Sequence, residues 1–203
     1  LSSVDPGIEP AGVMTFGLSF PPSMARTNPE ATRAYLRQVE ARVKAIPGVE
    51  EVSLSSGALP LQDDDEQLFW LDGKPRPASS DEMGWALWYV VGPDYRRAMG
   101  IPLLGGRFLR PEDDEGGPLV VVVDDVLARQ FFGAEDPIGK KINLDGYDRP
   151  AEVVGMVGHV VQWGLDRDDR ESLRAQLYFP LMQVPDRAIA PRSGVEVVVR
   201  SSG

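Results

Sequence analysis

The stretch nearest to a chemical motif is Gly133 to Lys141, GAEDPIGKK, whose glycines and lysines invite comparison with a phosphate-binding loop, G-x-x-x-x-G-K-[ST]. The comparison fails on spacing and on type. Five residues separate Gly133 from Gly139, Lys141 stands where a hydroxyl must reach magnesium, and the segment follows a helical pattern rather than a strand. The bland alternative is a helix exit, a Pro-fixed turn and the start of a strand. Asp124-Asp125 follows the apolar run Leu119 to Val123, a position where a carboxylate can act as nucleophile or metal ligand. Adjacent acids diverge, however, and either residue suits the N-cap of the helix that follows through Val126, Leu127 and Phe131.

His159 is the only histidine, and there is no cysteine, so one chain cannot build a multi-imidazole or thiolate metal site. As a general base His159 would need a nucleophile and an orienting acid. Ser53, Ser55 and Ser56 lie far away in sequence and outside any G-x-S-x-G elbow, so a strand-end histidine bonded to backbone is expected. Three acidic clusters could bind calcium: Asp63-Asp64-Asp65-Glu66, Glu112-Asp113-Asp114-Glu115, and Asp166 with Asp168, Asp169 and Glu171. None has the alternating ligands of a cation-wrapping loop, and solvated loops are expected. Trp85 and Tyr89 share one face of a strand and Trp88 takes the other, which reads as core or inter-lobe contact rather than a sugar platform. The sequence therefore assigns no catalytic, cofactor-binding or metal-binding residue and no cofactor.

These residues must be positioned by a chain of 203 residues with 42% hydrophobic and 26% charged side chains, a globular balance in which 18 Pro and 21 Gly favour short elements. A net charge of -10 repels nucleic acid and anionic lipid. The longest uncharged stretch, Pro10 to Ala25, is broken by Gly17 and Pro21-Pro22 and falls short of the ~20 apolar residues that cross a bilayer. Val13 to Phe20 alternates as a half-buried strand, with Met14, Phe16, Leu18 and Phe20 on one face. Thr27 or Asn28 can cap a helix carrying Tyr35, Leu36, Val39, Val43 and Ile46, and Val49 to Leu54 follows as a second strand. The crossover is long enough for the two strands to pair in parallel.

After Gly57 the texture changes to short strands over Leu68 to Leu71, Trp85 to Val91, Leu119 to Val123, Lys141 to Leu144, Val153 to Val161 and Gln176 to Phe179. Short helices interrupt them from Pro93 to Met99 and from Asp124 or Asp125 to Phe132. Val195 to Arg200 returns as a strand with Val195, Val197 and Val199 on one face, an apolar face that the sequence leaves without a covering helix. Self-association or disorder of this strand is the corresponding expectation.

The segments VDPGIEP, VMTFGLSFPP, AIPGVEEVSLSSGALPL, VGPDYRRAMGIPLLGGRFL, VVVVDDVLARQFFGAEDPIGKKI, EVVGMVGHV and LYFPLMQ, in this order and spacing, resemble the extracytoplasmic domain of MacB-type and FtsX-type ABC transporter permeases. The duplicated orphan permeases of acidobacteria are the most similar group. The resemblance implies an α+β fold: a porter-like strand-helix-strand lobe of residues 1–58 and 176–203, cut short at its C-terminal end, with a strand-rich, sabre-like lobe inserted at 59–175. It implies a non-catalytic periplasmic domain of an inner-membrane protein, coupling transmembrane-helix movement to a periplasmic partner or substrate. The implied partners are the transmembrane helices of the same permease, a second permease half or homodimer, and a periplasmic adaptor or carrier protein. Nucleic acid and direct membrane insertion are not expected. The alternative is a ligand-binding or sensory module with a pocket between the lobes, which a cleft with convergent polar groups would favour. Hinges near Ser55 to Leu61 and Pro180 to Arg192 are expected where the chain crosses between lobes.

Overall fold

The computed structural model describes residues 5–20, 28–57, 59–60, 65–162, 174–189 and 194–202. Its first helix, α1 (Pro29–Lys44), starts where the sequence is best suited to start it. Asn28 accepts a hydrogen bond from the Ala31 amide, Pro29 occupies the first turn, and Glu30 faces the positive end of the helix dipole. Strands β1 (Val13–Leu18) and β2 (Val49–Gly57) flank it. They run parallel but do not pair, because β10 (Val195–Ser201) lies between them and is antiparallel to both.

That insertion corrects two expectations. The parallel β1–β2 pair is replaced by a split unit, and β10 is an interior strand rather than an edge. Val195, Val197 and Val199 pack beneath α1 with Leu36, Val52 and Leu54, while Val198 is buried on the opposite face. No valine of β10 is left uncovered. The exposed apolar face belongs to β1, where Met14 and Phe16 are 58% and 43% exposed.

Six of the other described strands form a closed ring. Strand β4 (Gly84–Val91) pairs with β3 (Glu66–Leu71), β3 with β7 (Lys141–Leu144), and β7 with β8 (Ala151–Val157). β8 then pairs with β6 (Val120–Asp124), β6 with β9 (Gln176–Pro180), and β9 returns to β4. The β8–β6 and β9–β4 pairs are parallel and the others antiparallel. Side chains from all six strands, among them Phe69, Trp88, Val121, Ile142, Val153 and Phe179, share one core that continues to the α1 face of the outer sheet. Alternation along β4 sends Trp88 into this core and Tyr89 into a second one, beneath α2 (Tyr95–Met99). A four-residue strand, β5 (Leu103–Gly106), is added outside the ring on β8. A short helix, α3 (Asp125–Leu127), continues as a π-turn over Ala128–Phe132.

Strand β4 belongs to both parts. Its residues Tyr89 to Val91 pair with Ser55 to Gly57 of β2 on one edge, and Leu87 to Val91 pair with β9. Outer sheet and ring are therefore one hydrogen-bonded system.

Candidate functional site

The parallel pairing of β6 with β8 sets Asp124 beside Val157 and brings the following turn over the end of β6. Asp124 is fully buried, and its Oδ1 accepts from the Leu127 amide at 2.8 Å and the Gln176 amide at 3.1 Å. It caps α3, as expected. The expected backbone partner of the His159 ring is replaced by a carboxylate: Nδ1 donates to Asp124 Oδ2 at 2.6 Å, while the His159 amide donates to Asp125 Oδ1. Burial pushes the Asp124 carboxyl up, against the downward pull of the histidine and the two amides. No serine or threonine hydroxyl bonds to this pair among the described residues, and the arrangement ties β6, α3 and the chain after β8 together.

Gly133 to Lys141 leaves the π-turn, makes a Glu135–Lys140 ion pair, and enters β7 at Lys141. Asp113 departs from the solvated loop expected of its cluster: it holds both arms of Arg107, at 2.7 and 2.9 Å, and accepts from the Arg110 amide. Glu115 pairs with Arg37 of α1 at 2.6 Å. Asp63, Asp64 and the cluster from Asp166 to Glu171 lie outside the described residues. Among the described residues no group of three acidic or imidazole side chains gathers at a metal-binding spacing. Trp88 stacks on Phe179 at 4.9 Å and Tyr89 on Tyr178 at 4.8 Å, whereas Trp85 lies outside under Arg174.

Two features had no prominence in the sequence. The first is Arg33, a helix residue whose guanidinium is buried. It donates from Nε to the Met182 carbonyl at 3.2 Å, from Nη2 to the Val184 carbonyl at 2.9 Å, and from Nη1 to Asp186 at 2.7 Å. It thus fastens α1 to the chain leaving β9. The second is a cleft of about 290 Å³ between α1, the turn Gly92 to Asp94, residues 109–113 and residues 180–182. Leu54, Val91, Leu109, Leu181 and Met182 supply apolar walls, and Arg37, Glu40, Lys44, Asp94, Arg110 and Asp113 are its charged lining. Lys44 is bound by Asp94 at 2.8 Å and Glu51 at 3.4 Å. Glu40 takes no hydrogen bond or ion pair among the described residues, and its Oε1 is buried. Desolvation, then the Asp94 carboxylate, raise its carboxyl from 4.5 to about 7, with Lys44 pulling the other way. The charge spacing Arg37, Glu40, Lys44 along one helix face was the available signal, but it reads equally as a solvated face.

The profile of one protein family, the MacB-like periplasmic core domain, matches residues 7–202. The chain belongs to this family. The MacB-like domain is also 33% identical, over 69 residues, to the macrolide export ATP-binding/permease protein MacB of Aggregatibacter actinomycetemcomitans. That match covers 34% of this chain and 10% of the longer protein. Among solved structures it resembles the periplasmic region of MacB from Actinobacillus actinomycetemcomitans, with a TM-score of 0.60, 19% identity, and coverage of 97% of this chain and 77% of that one. It also resembles the extracellular domain of the noncanonic ABC-type transporter YknZ from Gram-positive bacteria, with a TM-score of 0.56 and 16% identity over 94% of this chain and 84% of that one. These likenesses confirm the α+β fold expected of a MacB-like periplasmic domain. Among the described residues no helix is long and apolar enough to cross a membrane.

Proposed function

We propose that this domain faces the periplasm as part of an inner-membrane ABC transporter permease and passes movement between the transmembrane helices and a periplasmic partner, without catalysing a reaction itself. Its partners are the transmembrane helices of the same permease, a second permease half or second copy, and a periplasmic adaptor or carrier protein. In this reading residues 1–58 with 176–203 form the lobe tied to the membrane helices, its strand β9 closing the ring, and residues 59–175 form the lobe presented to the partner. The observation that carries it, beside family membership, is strand β4, paired to the outer sheet on one side and to the ring on the other. Force applied to β2 or β10 reaches the ring through backbone hydrogen bonds. The Arg33 clamp adds a second connection from α1 to the chain after β9.

The test uses the whole permease in cells, exploiting the absence of cysteine in this domain. A cysteine at exposed Arg42 should react with a membrane-impermeant maleimide in intact spheroplasts; reaction only after lysis would place the domain on the wrong side. Arg37→Cys with Glu115→Cys, bridged by a flexible bis-maleimide, should abolish export by tying α1 to the inserted lobe. Undiminished export with the bridge formed would refute movement between the two lobes.

A second reading, a ligand-binding module, is favoured by one observation: the cleft lies between α1 and residues 109–113, with apolar walls and a buried carboxylate oxygen that has no partner among the described residues.

A further inference from the structure

We propose that the cleft between α1, β2 and residues 109–113 binds a small amphiphilic amine whose ammonium group is held by the Glu40 carboxylate. The inference rests on the ligand-binding reading and names its ligand class.

Charge bookkeeping within the cleft singles out Glu40. Arg37 is taken by Glu115, Lys44 by Asp94 and Glu51, and Asp113 by Arg107. Arg110 is exposed to solvent. Glu40 is half-buried, and its buried Oε1 has no partner among the described residues. A buried carboxylate without a partner costs folding free energy, and such a group calls for an explanation outside the folded chain. The backbone beside it is shaped to admit it: a Cβ on Gly92 would lie 3.0 Å from Glu40 Oε1 and 2.8 Å from Ser53 Oγ. The absent side chain lets the carboxylate lie against β2 and the turn before α2.

The complement of a buried carboxylate is a cation that donates hydrogen bonds. The complement of Leu54, Val91, Leu109 and Leu181 is an apolar body. A volume of about 290 Å³ equals that of roughly ten liquid waters, which limits the ligand to a small molecule. An anion would meet Glu40 as a like charge. The charged groups facing Glu40 are Arg37 and Lys44 on its own helix, Asp94 on the turn before α2, and Arg110 and Asp113 across the cleft. Because its carboxyl is raised to about 7, the anionic form that binds an ammonium fills as pH rises through neutrality.

The probes are 4-phenylbutylamine, 4-phenylbutanol and 4-phenylbutyrate, equal in body and different in head group, titrated into the 203-residue chain and followed by amide NMR. The amine should shift the amides of Leu54, Gly92 and Leu181, and 4-phenylbutyrate should not. Glu40→Gln should weaken the amine about tenfold or more, the loss of one charge-assisted hydrogen bond, and leave the alcohol unchanged. Should Glu40→Gln fail to fold, the native chain decides: amine affinity should fall about tenfold from about pH 8 to about pH 6 while alcohol affinity stays level. Equal binding of amine and alcohol, with no dependence on Glu40 or on pH, would overturn the amine class and keep the ligand-binding reading. Binding of 4-phenylbutyrate as tight as that of the amine would do the same. Failure of all three to shift the cleft amides would overturn both.

Discussion

Arg33→Met should separate the buried and the exposed parts of the clamp between α1 and the chain after β9. The Arg33 side chain is 6% exposed and its guanidinium serves two backbone carbonyls, Met182 and Val184, whereas the side chain of its partner Asp186 is 69% exposed. A hydrogen bond from a charged donor contributes about 1.5–3 kcal/mol, and an exposed ion pair at most about 1 kcal/mol. Methionine fills similar space but donates nothing, so both carbonyls lose their partner at a cost of about 3 kcal/mol even at the low end of that range. For a chain of this size that lowers the melting temperature by about 6–12 °C. Asp186→Asn should lower it by less than about 4 °C, because it removes only the exposed pair. Arg33→Lys should fall between them, since one ammonium cannot reproduce a planar fork. Thermal unfolding followed by circular dichroism measures all three. If Arg33→Met melts within about 2 °C of the parent, or Asp186→Asn matches it, the carbonyls do not carry the clamp.

The raised Glu40 carboxyl has its own signature. Charging it costs more in the folded than in the unfolded chain, so its contribution to stability is complete below about 4.5 and is lost as pH rises through about 7. Urea titrations should therefore show Glu40→Gln gaining about 3 kcal/mol over the parent between about pH 4 and about pH 8; a constant difference would contradict the shift. His159→Ala should cost about 2 kcal/mol near neutral pH by stripping Asp124 Oδ2 of its donor, and His159→Gln should recover part of it; equal losses would show that packing rather than the hydrogen bond matters. Gly155→Ala would place a Cβ 1.9 Å from the Arg107 carbonyl and should cost about 3 kcal/mol or more, while Gly116→Ala, with its nearest atom at 3.5 Å, should be close to neutral in the same denaturant series.

Local chemistry made much of the fold legible. The Asn28 cap and the apolar stripe of α1 lie within a few residues of each other, and β2, β3, β4, β6, β7 and β9 follow the predicted strands to within a few residues at their ends. Strand β5 was missed because Leu-Leu-Gly-Gly has neither alternation nor β-branched residues. The place of β10 between β1 and β2 has no local signature, since the pairing of Val13 with Arg200 joins the two ends of the chain. The same distance hid the candidate site. His159 meets Asp124 only through the β6–β8 pairing, and Glu40 looks like any charged helix residue until the turn at Gly92 closes over it. The failed phosphate loop, by contrast, could be dismissed from spacing alone, because its rule is local.

The position of β10 also fixes the order in which the outer sheet can assemble. Strands β1 and β2 precede the ring in the chain, yet neither is the other's neighbour; the pairing that joins them waits for a strand whose first residue is Val195. Until then α1 lacks the Val195, Val197 and Val199 part of its underside, and β1 has no backbone partner among the described strands. The ring, whose strands lie between Glu66 and Pro180, can close earlier and offer β4 as a template for β2. Pairings that span most of a chain form slowly because loop closure comes before any contact rewards it. Insertion of β10 between β1 and β2 is therefore the committing step for the outer sheet. A chain interrupted before Val195 would keep a folded ring while its first half, with the apolar underside of α1, remained open to chaperones and proteases.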